Sequence, residues 1–440
     1  MRERFSVSHS KPPSILVAGI GTHGGGAGVL QFFQRLGWAV TAIDSKPRSE
    51  FRALIRTLGT KNITWKFGTF DAKFFTAHDV IVRNPGVPLS HPSVRVAQRA
   101  KKILTNDLDI FFSISNLSRV VGITGTKGKT TTALLTAHLL KPSHFAAVVG
   151  IPGISFFDAL LSQRSAEYVI AECSSYDLEL STKSPHVALL TSLAGDHISR
   201  HGSMRVYANT KANLFRYQQK SDIALLPKTL AEEKVFLRAI HDKLRRFSPT
   251  PSGQLGILPW HIHPNSISAA EAIVASLGIS IPTIARRLQS FRGAPGRRER
   301  VHSTECGAVC INDTTATAPI AAIDTIQSGA EAFGKEHIIA IVGGHDKELR
   351  EGEIRTLARV LRIYTKYVVL LDGSFTKRLM KYLPKGEYRL HTSMKSAVKS
   401  AMHSATKHDR IILSPGCASF NMFMNEFDRG DQFEASVLEY

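Results

Sequence analysis

Residues 122–132 read GITGTKGKTTT. The apolar pair Val120 and Val121 precedes this stretch, and the helix-forming pattern ALLTAHLL follows it at residues 133–140. The pattern G-x-x-G-x-x-G-K-T is a variant of the phosphate-binding P-loop, in which backbone N–H groups converge on phosphate oxygens at a helix N-terminus. The order of strand, glycine loop and helix predicts a nucleoside triphosphate site. The alternative is a chance glycine turn before a helix.

The residue types in the loop fit that chemistry. Lys129 would reach the β- and γ-phosphates, and the hydroxyl of Thr130 would bind Mg²⁺. We expect nucleotide contacts along the whole loop, from Gly125, Thr126, Lys127, Gly128, Lys129, Thr130 and Thr131.

Two continuous apolar stretches follow, at residues 168–172 and 187–192, and both are typical of buried parallel strands. Glu172 ends the first, and the second leads to Gly195-Asp196-His197. A carboxylate at the end of a strand beside a P-loop is well placed to hold Mg²⁺. The alternative for Glu172 is an ordinary exposed strand end, and for His197 an ordinary loop histidine.

The first hundred residues have a Rossmann-like pattern. A short strand at 14–19 is followed by a glycine-rich loop at 19–28, a helix from about residue 29 to 36, and a strand at 39–44 that ends in Asp44. Such a unit binds a dinucleotide or another nucleotide diphosphate. A dinucleotide oxidoreductase is therefore one alternative. A further strand at 79–83 ends in the rigid turn Asn84-Pro85-Gly86.

A third α/β pattern begins near Arg297. Strands are predicted at 307–311, 337–342, 367–371 and 410–413, with helices at 354–361 and 394–405. The sequence therefore predicts an α/β protein of three domains: a Rossmann-like domain at 1–105, a central P-loop domain with a parallel sheet at 106–298, and a Rossmann-like C-terminal domain at 299–440.

Composition limits the class of protein. The chain has 440 residues, 43% hydrophobic and 21% charged, with a formal net charge of +20. Its apolar runs stay short of the ~18 residues of a membrane helix, and the N-terminus lacks the apolar stretch of a signal peptide. Four cysteines without CxxC spacing favour neither zinc nor disulfides. We expect a cytoplasmic monomer that does not bind membranes. The positive residues are scattered, so nucleic acid is not expected as the main partner.

Together these motifs resemble the Mur ligase family, and the resemblance covers nearly the whole chain. Its most specific parts are GITGTKGKTT, AECSSYDLE at 171–179 and GDHISRHGSMRVYANTK at 195–211. In the last third, IND at 311–313, AT at 316–317, GGHDK at 343–347, SPGCAS at 414–419 and the pair Arg429-Gly430 also match.

The resemblance implies an activity. It implies that D-glutamate is joined to UDP-N-acetylmuramoyl-L-alanine at the expense of ATP, through an acyl phosphate and a tetrahedral intermediate. The first domain would hold the UDP moiety, the second ATP, and the third the incoming amino acid. Two Mg²⁺ sites are implied as well.

The resemblance also implies site residues. Lys129, His197 and Lys211 would be catalytic, and the metal ligands would be Thr130, Glu172, His197 and Lys211. Lys211 matches a lysine that is carbamylated in the family, which would turn an ammonium into an anionic oxygen ligand. ATP contacts outside the loop would be Asn265, Arg297 and Asp313. The amino acid would contact Thr317, Lys347 and Ser419. The UDP moiety would contact Gly21, Thr22, His23, Gly24, Asp44, Ser45, Asn84, Pro85 and Gly86.

The chain departs from the family pattern at several positions. Ile151 replaces an asparagine in Gly-Asn-Ile-Gly, Gly296 a histidine, Thr315 a lysine, Ala318 an asparagine, Glu426 a phenylalanine and Ile262 an asparagine. These changes do not alter the expected class of reaction. They leave two alternatives for the substrates: a different amino acid, such as L-glutamate, or another nucleotide-linked acid. A folate-type ligase lacks the first domain. A non-catalytic nucleotide-binding protein would not need Lys129, Glu172, His197 and Lys211 together.

Overall fold

The structure is a computed structural model. It describes residues 13–21, 25–141, 144–162, 165–195, 198–241, 243–248, 259–280, 286–301, 307–346, 349–419 and 422–439. The described residues form three β-sheets, each with helices that follow its strands.

The first sheet has five parallel strands in the order β3-β2-β1-β4-β5. They are β1 Ile15–Ala18, β2 Val40–Asp44, β3 Ile63–Phe67, β4 Val80–Arg83 and β5 Ile103–Thr105. The helices are α1 Gly25–Arg35, α2 Arg52–Leu58, α3 Ala72–Ala77 and α4 Pro92–Arg99. The strand order reverses direction between β1 and β4, and a crevice at such a point is where doubly wound sheets bind ligands.

The second sheet has six parallel strands in the order β11-β10-β9-β6-β8-β7. They are β6 Val120–Thr124, β7 Ala146–Val149, β8 Tyr168–Glu172, β9 Val187–Leu190, β10 Ile223–Pro227 and β11 Lys243–Phe247. The helices are α5 Asp107–Ile114, α6 Lys129–Leu140, α7 Asp158–Leu161, α8 Ile198–His201, α9 Met204–Arg216, α10 Lys234–Leu237 and α11 Pro264–Ser276. The central strand β6 lies between β8 and β9, so all three strand ends open at one edge.

The third sheet has six strands in the order β12-β13-β17-β14-β15-β16, and β12 alone is antiparallel. They are β12 Glu299–Val301, β13 Val309–Asn312, β14 Ile338–Gly343, β15 Tyr367–Leu371, β16 Tyr388–His391 and β17 Arg410–Leu413. The helices are α12 Pro319–Phe333, α13 Glu351–Tyr364, α14 Ser374–Leu379, α15 Met394–His403 and α16 Glu426–Leu438.

Buried aliphatic strands explain why each sheet forms. All four residues of β1, all five of β6 and all six of β14 are buried. Because both faces of a parallel sheet are covered by helices, these strands lack the alternation of polar and apolar residues that a half-exposed strand shows. The predicted α/β class is confirmed: along the chain, a Rossmann-like sheet comes first, a P-loop sheet second and another Rossmann-like sheet last.

The chain separates into two compact units. One comprises residues 1–256 and 264–287 and contains the first two sheets, and the other comprises 257–263 and 288–440. The predicted domain boundaries at 105 and 298 remain a prediction. In the part of the chain that the structure describes, no helix is long and apolar enough to cross a membrane.

Candidate active site

The P-loop leaves the carboxyl end of β6 and is fixed by the end of β9. The N–H of Thr126 donates to the carbonyl of Ser192 (2.9 Å), and the N–H of Lys127 donates to the Ser192 hydroxyl (3.0 Å). The hydroxyl of Thr191 donates to the carbonyl of Lys127 (2.6 Å). Sequence reasoning did not assign Thr191 and Ser192 to the loop. Their place at the end of a buried strand was the available signal.

Two glycines give the loop its path. Gly125 has φ +148°, and a Cβ there would lie 1.9 Å from the hydroxyl of Thr191. Gly128 has φ +86° and is the N-cap of α6, so the helix begins directly at Lys129. Residues with a side chain rarely adopt these backbone angles, and the loop therefore requires glycine at both positions.

Three predicted residues meet at the start of α6. The hydroxyl of Thr130 donates to Oε2 of Glu172 (2.6 Å), and Nζ of Lys129 lies 3.9 Å from Oε1 of the same carboxylate. Nζ of Lys129 also donates to the carbonyls of Gly125 (3.1 Å) and Thr126 (3.3 Å). Glu172 thus lies at the end of β8 and contacts the first two residues of α6, and its predicted role as a Mg²⁺ ligand remains a prediction.

Lys211 lies in the same region, on α9. It is 1% exposed, its Nζ donates to the carbonyl of Gly125 (2.9 Å), and it lies 4.5 Å from the ring centroid of Tyr207. The hydroxyl of Tyr207 is 3.2 Å from that of Thr126. Thus α9 contacts the P-loop through both residues. His197 lies outside the described residues, so its predicted role remains a prediction.

The donor set suits a hard cation. A hydroxyl and a carboxylate oxygen are ligands that Mg²⁺ accepts, and both are nearly buried here: Thr130 is 6% and Glu172 9% exposed. Among the described residues, no group of three or more histidine, cysteine, aspartate or glutamate side chains is arranged to hold a metal by itself. A Mg²⁺ ion at Thr130 and Glu172 would therefore need further oxygen ligands from a nucleotide or water.

The predicted UDP site gathers at the carboxyl edge of the first sheet. Oδ2 of Asp44, at the end of β2, accepts from the N–H of Ile20 (2.8 Å) and of Gly21 (3.4 Å). Asp44 is buried and fixes the loop after β1, whereas Ser45 is exposed. Of the predicted glycine-loop contacts, Thr22, His23 and Gly24 lie outside the described residues.

The turn after β4 packs against the same loop. A Cβ on Gly19, which has φ +86°, would lie 2.8 Å from Cβ of Asn84. Oδ1 of Asn84 accepts from the N–H of Gly86 (2.9 Å), and its backbone N–H donates to the carbonyl of Ala18 (2.9 Å). The predicted turn Asn84-Pro85-Gly86 therefore borders the crevice between β1 and β4.

Two buried acids, Asp107 and Asp177, lie in the compact unit that contains the first two sheets. Burial, and then repulsion by Asp177, raises the pKa of Asp107 to about 7. Burial likewise raises the pKa of Asp177 above its usual range, against hydrogen bonds from Ser174. Oδ2 of Asp107 lies 3.1 Å from where a Cβ on Gly25, at the start of α1, would be. Sequence reasoning did not identify this pair.

In the other compact unit, Asp313 is a buried acceptor at the end of β13. It accepts from the N–H of Arg298 (3.2 Å) and the hydroxyls of Thr325 (2.7 Å) and Ser414 (2.9 Å). Burial raises its pKa despite the opposing field of Arg298. The predicted neighbour Arg297 is half-buried, and its side chain donates to the carbonyl of Pro295 (3.3 Å).

The predicted amino-acid residues belong to the turns after β13 and β17. Thr317 is half-buried and Ser419 is 5% exposed, while Lys347 lies outside the described residues. The side chain of Arg429 is fully buried and contacts both turns. It donates to the hydroxyl (3.0 Å) and the carbonyl (2.7 Å) of Thr314 after β13, and to the carbonyl of Cys417 after β17 (3.2 Å). Sequence reasoning noted Arg429 as a motif match and gave it no contact.

Two departures from the family pattern, Thr315 and Glu426, lie near these turns. The hydroxyl of Thr315 donates to the carbonyl of Gly296 (3.0 Å), so that side chain is used locally. Glu426 begins α16, and its carbonyl accepts from the hydroxyl of Thr314 (2.7 Å). In the first unit, Asn265 is exposed at the start of α11 and lines a cavity of about 140 Å³ with Thr191 and Ser192.

Comparison with known proteins shows to which class of protein this fold belongs. Residues 13–105 match the Mur ligase MurD-like N-terminal domain, 123–248 the Mur ligase middle domain, and 296–417 the Mur ligase glutamate ligase domain. The chain belongs to the Mur ligase family of ATP-dependent ligases.

Individual relatives are similar over almost their full length. A UDP-N-acetylmuramoylalanine–D-glutamate ligase from Roseiflexus is 32% identical, with 97% of this chain and 98% of that protein covered. One with the same name from Thermoanaerobacter is 28% identical, with 98% and 99% covered. A solved UDP-N-acetylmuramate–alanine ligase from Thermotoga maritima shares the fold, with a TM-score of 0.61, 19% identity, and 97% and 99% of the two chains covered.

Proposed function

We propose that this protein adds D-glutamate to UDP-N-acetylmuramoyl-L-alanine, with hydrolysis of ATP to ADP and phosphate. The observation that carries the proposal is the cluster of Lys129, Thr130 and Glu172 on a glycine loop at the edge of the central sheet. The similarity to D-glutamate ligases over nearly the whole chain supports this choice of substrates.

The reaction needs activation because a carboxylate is a poor electrophile. In the first step, an oxygen of the L-alanyl carboxylate attacks the γ-phosphorus of ATP and ADP leaves, which gives an acyl phosphate. The neutral amine of glutamate then attacks the acyl carbon. The tetrahedral intermediate loses the amine proton and expels phosphate, leaving an amide. Each step brings anions together, and positioned cations lower that cost.

The residues around the P-loop supply that neutralisation. Lys129 would hold the β- and γ-phosphates, and the backbone of residues 125–131 would orient them at the N-terminus of α6. Thr130 and Glu172 would hold Mg²⁺, which supplies positive charge to the phosphate oxygens when bound. Nζ of Lys129 donates to the carbonyls of Gly125 and Thr126, within the loop where it would act.

We propose that Lys211 is carbamylated and adds oxygen ligands for a second Mg²⁺, and that His197 is a further ligand. The burial of Lys211 supports this, because a buried ammonium loses its hydration and its deprotonated amine is the form that reacts with CO₂. An anionic carbamate would attract a divalent cation that an ammonium repels.

The third sheet would bring glutamate through Thr317, Lys347 and Ser419, and Asn265, Arg297 and Asp313 would contact ATP. A different amino acid, such as L-glutamate, or another nucleotide-linked acid is the second candidate. The replacement of a family lysine by Thr315 favours this second candidate. The Thr315 hydroxyl donates to the carbonyl of Gly296, so it is already used within the protein. We place the enzyme in peptidoglycan precursor synthesis in the cytoplasm, acting as a monomer.

Phosphate release from Mg-ATP tests the proposal. We expect release only when UDP-N-acetylmuramoyl-L-alanine and D-glutamate are both present, and little with L-glutamate. Release with L-glutamate but not with D-glutamate, again in the presence of the UDP-linked acid, would support the second candidate. The absence of release with every amino acid tried would refute the proposed activity.

A pair of lysine variants ties that release to the P-loop. Lys129→Ala should abolish turnover while the melting temperature stays close to that of the wild type, because the side chain of Lys129 is partly exposed (18%) at the first position of α6 and its amine makes only polar contacts. Lys141→Ala, at the far end of the same helix, is the matched control and should keep full activity. Normal release by Lys129→Ala would refute the P-loop assignment.

A further inference from the structure

Three charged side chains meet where the turn after β4 contacts the segment after β8. An arginine at the end of β4, Arg83, is fully buried and lies 2.8 Å from Glu179. Arg200, on α8, lies 3.5 Å from the same carboxylate. All three belong to one compact unit. We call this group the arginine bracket.

The bracket holds backbone carbonyls of the turn. NH1 of Arg83 donates to the carbonyl of Val87 (2.6 Å), and NH2 of Arg200 donates to the carbonyls of Pro85 (3.1 Å) and Val87 (3.4 Å). NH2 of Arg83 also donates to the carbonyl of Tyr176, which follows β8 (3.2 Å). Two guanidinium groups therefore bind the turn from one side, while the loop at Gly19 packs against Asn84.

Other charges around the bracket reduce its net charge. The acids Asp107 and Asp177 interact electrostatically with Arg83, in addition to Glu179, and Arg200 opposes them. Burial lowers the pKa of Arg83, and Glu179 raises it again. Because the ordinary value for arginine is so high, its guanidinium remains a cation.

Stability alone does not account for such a cluster. A buried ion pair loses much of its Coulomb energy to desolvation, and well-packed apolar residues often stabilise a protein as much. The buried Nε of Arg83 has no hydrogen-bond partner among the described residues, which adds to that cost. What the planar guanidinium of Arg83 does provide is a fixed geometry, because its two terminal nitrogens hold Val87 and Glu179 at the same time.

The bracket also continues toward the P-loop. The guanidinium of Arg200 lies 5.1 Å from the ring centroid of Tyr176, and that ring stacks on His201 with centroids 5.6 Å apart. The ring of His201 in turn lies 5.2 Å from that of Tyr207, whose hydroxyl is next to Thr126. A series of side-chain contacts thus connects the turn at residues 84–87 with the P-loop.

We propose that Arg83, Glu179 and Arg200 are positioning residues that fix the turn at residues 84–87 for the nucleotide end of the first substrate. The proposal rests on the proposed function, in which this turn contacts the uridine nucleotide. The bracket acts through the turn and has no part in the bond-making steps.

Steady-state kinetics of Arg200→Met test it, because the Arg200 side chain is 20% exposed and its loss leaves Glu179 paired with Arg83. We expect KM for the UDP-linked acid to rise about tenfold or more, with kcat and KM for ATP within about twofold, as for a lost binding interaction. Arg200→Lys keeps the charge and should recover part of the loss. Arg205→Met, an exposed arginine on α9, is the matched control.

Melting temperatures separate positioning from mere structure. If folded Arg200→Met binds the UDP-linked acid as well as the wild type, or if KM for all three substrates rises alike with a lower melting temperature, the proposal is overturned. Glu179→Gln, which keeps an acceptor, should raise KM in the same direction.

Calorimetric titration with UDP separates this proposal from the activity. If the wild type binds UDP but makes no product, the proposed function fails, and weaker UDP binding by Arg200→Met still supports the bracket. If the wild type binds no UDP, or if both proteins bind it equally, the bracket proposal is overturned.

Discussion

The ammonium of Lys211 is among the most buried charges of the molecule, and its described contacts are a carbonyl of the P-loop and the face of Tyr207. If it is carbamylated in the active enzyme, Lys211→Ala should lower kcat by at least about a thousandfold, as for loss of an electrostatic group at the reacting centre. Small carboxylates such as formate or acetate should restore part of the activity by filling the space. Phosphate release measures both. Full activity of the variant would contradict the carbamate.

The buried carboxyl group of Asp107 makes stability depend on pH. Its pKa is raised to about 7 in the folded protein, from an ordinary value near 3.8, because burial and Asp177 disfavour the anion. The folded state therefore holds the proton more tightly, and this group loses its stabilising effect as the pH rises from about 4 to 7. Asp107→Asn should match the wild type only below about pH 4 and be more stable at pH 8, by a few kcal/mol at most.

Melting temperatures across that pH range check the sign. Asp71 is the comparison, since its carboxylate accepts from the N–H of Lys73 at the N-cap of α3, which lowers its pKa. Asp71→Asn should lose stability at neutral pH and approach the wild type as the pH falls toward 3. If Asp107→Asn instead loses stability at pH 8, the raised pKa of Asp107 is wrong.

At the scale of single residues, sequence reasoning found the side chains that belong to a local motif. Lys129 and Thr130 follow from the loop itself, and Glu172 follows from its place at a strand end. Thr191, Arg83 and Asp107 were missed, because their partners come from other strands and only the folded chain brings them together. For the same reason the sequence showed no sign of the arginine bracket.

Among the elements, the P-loop depends most on one backbone angle. Gly125→Ala should disrupt it, because φ +148° is strained for alanine and the Cβ would lie 1.9 Å from the Thr191 hydroxyl. We expect loss of ATP binding and a lower melting temperature. Gly37→Ala is the matched control: its φ is +75°, with no atom within 4 Å of the added Cβ.

Calorimetric titration with ATP or a non-hydrolysable analogue measures the effect. Gly37→Ala should bind nucleotide normally even if strain costs it about 1 kcal/mol of stability. Nucleotide affinity in Gly125→Ala equal to that of the wild type would show that the loop does not need this conformation.

Three strands and the start of the helix at residue 394 were predicted to the residue, whereas the start of the first helix was not. The strands at 168–172, 367–371 and 410–413 have the predicted bounds, since buried parallel strands are continuous apolar runs. The first helix begins at Gly25, ahead of the predicted residue 29, although glycine disfavours helices. The reason is close packing: a Cβ on Gly26 would lie 2.3 Å from the carbonyl of Ile20, and one on Gly28 would lie 2.0 Å from the hydroxyl of Ser155. Sequence propensity does not contain such contacts.

For the whole molecule, the sequence predicted three α/β sheets in series and the nucleotide site of the central one. The strand orders were beyond it, because the position of β6 between β8 and β9 depends on which crossovers the chain makes. That order is what brings Glu172 and Thr191 to the two sides of the P-loop.

In the proposed reaction, an oxygen of the substrate carboxylate attacks the γ-phosphorus of ATP. The most direct test of this step uses UDP-N-acetylmuramoyl-L-alanine with ¹⁸O at both oxygens of the terminal carboxylate, together with Mg-ATP and D-glutamate, and mass analysis of the released phosphate. Because the attacking oxygen stays on phosphorus when the amine displaces it, we predict one ¹⁸O atom in each phosphate released. Amide formation with unlabelled phosphate would contradict the acyl phosphate.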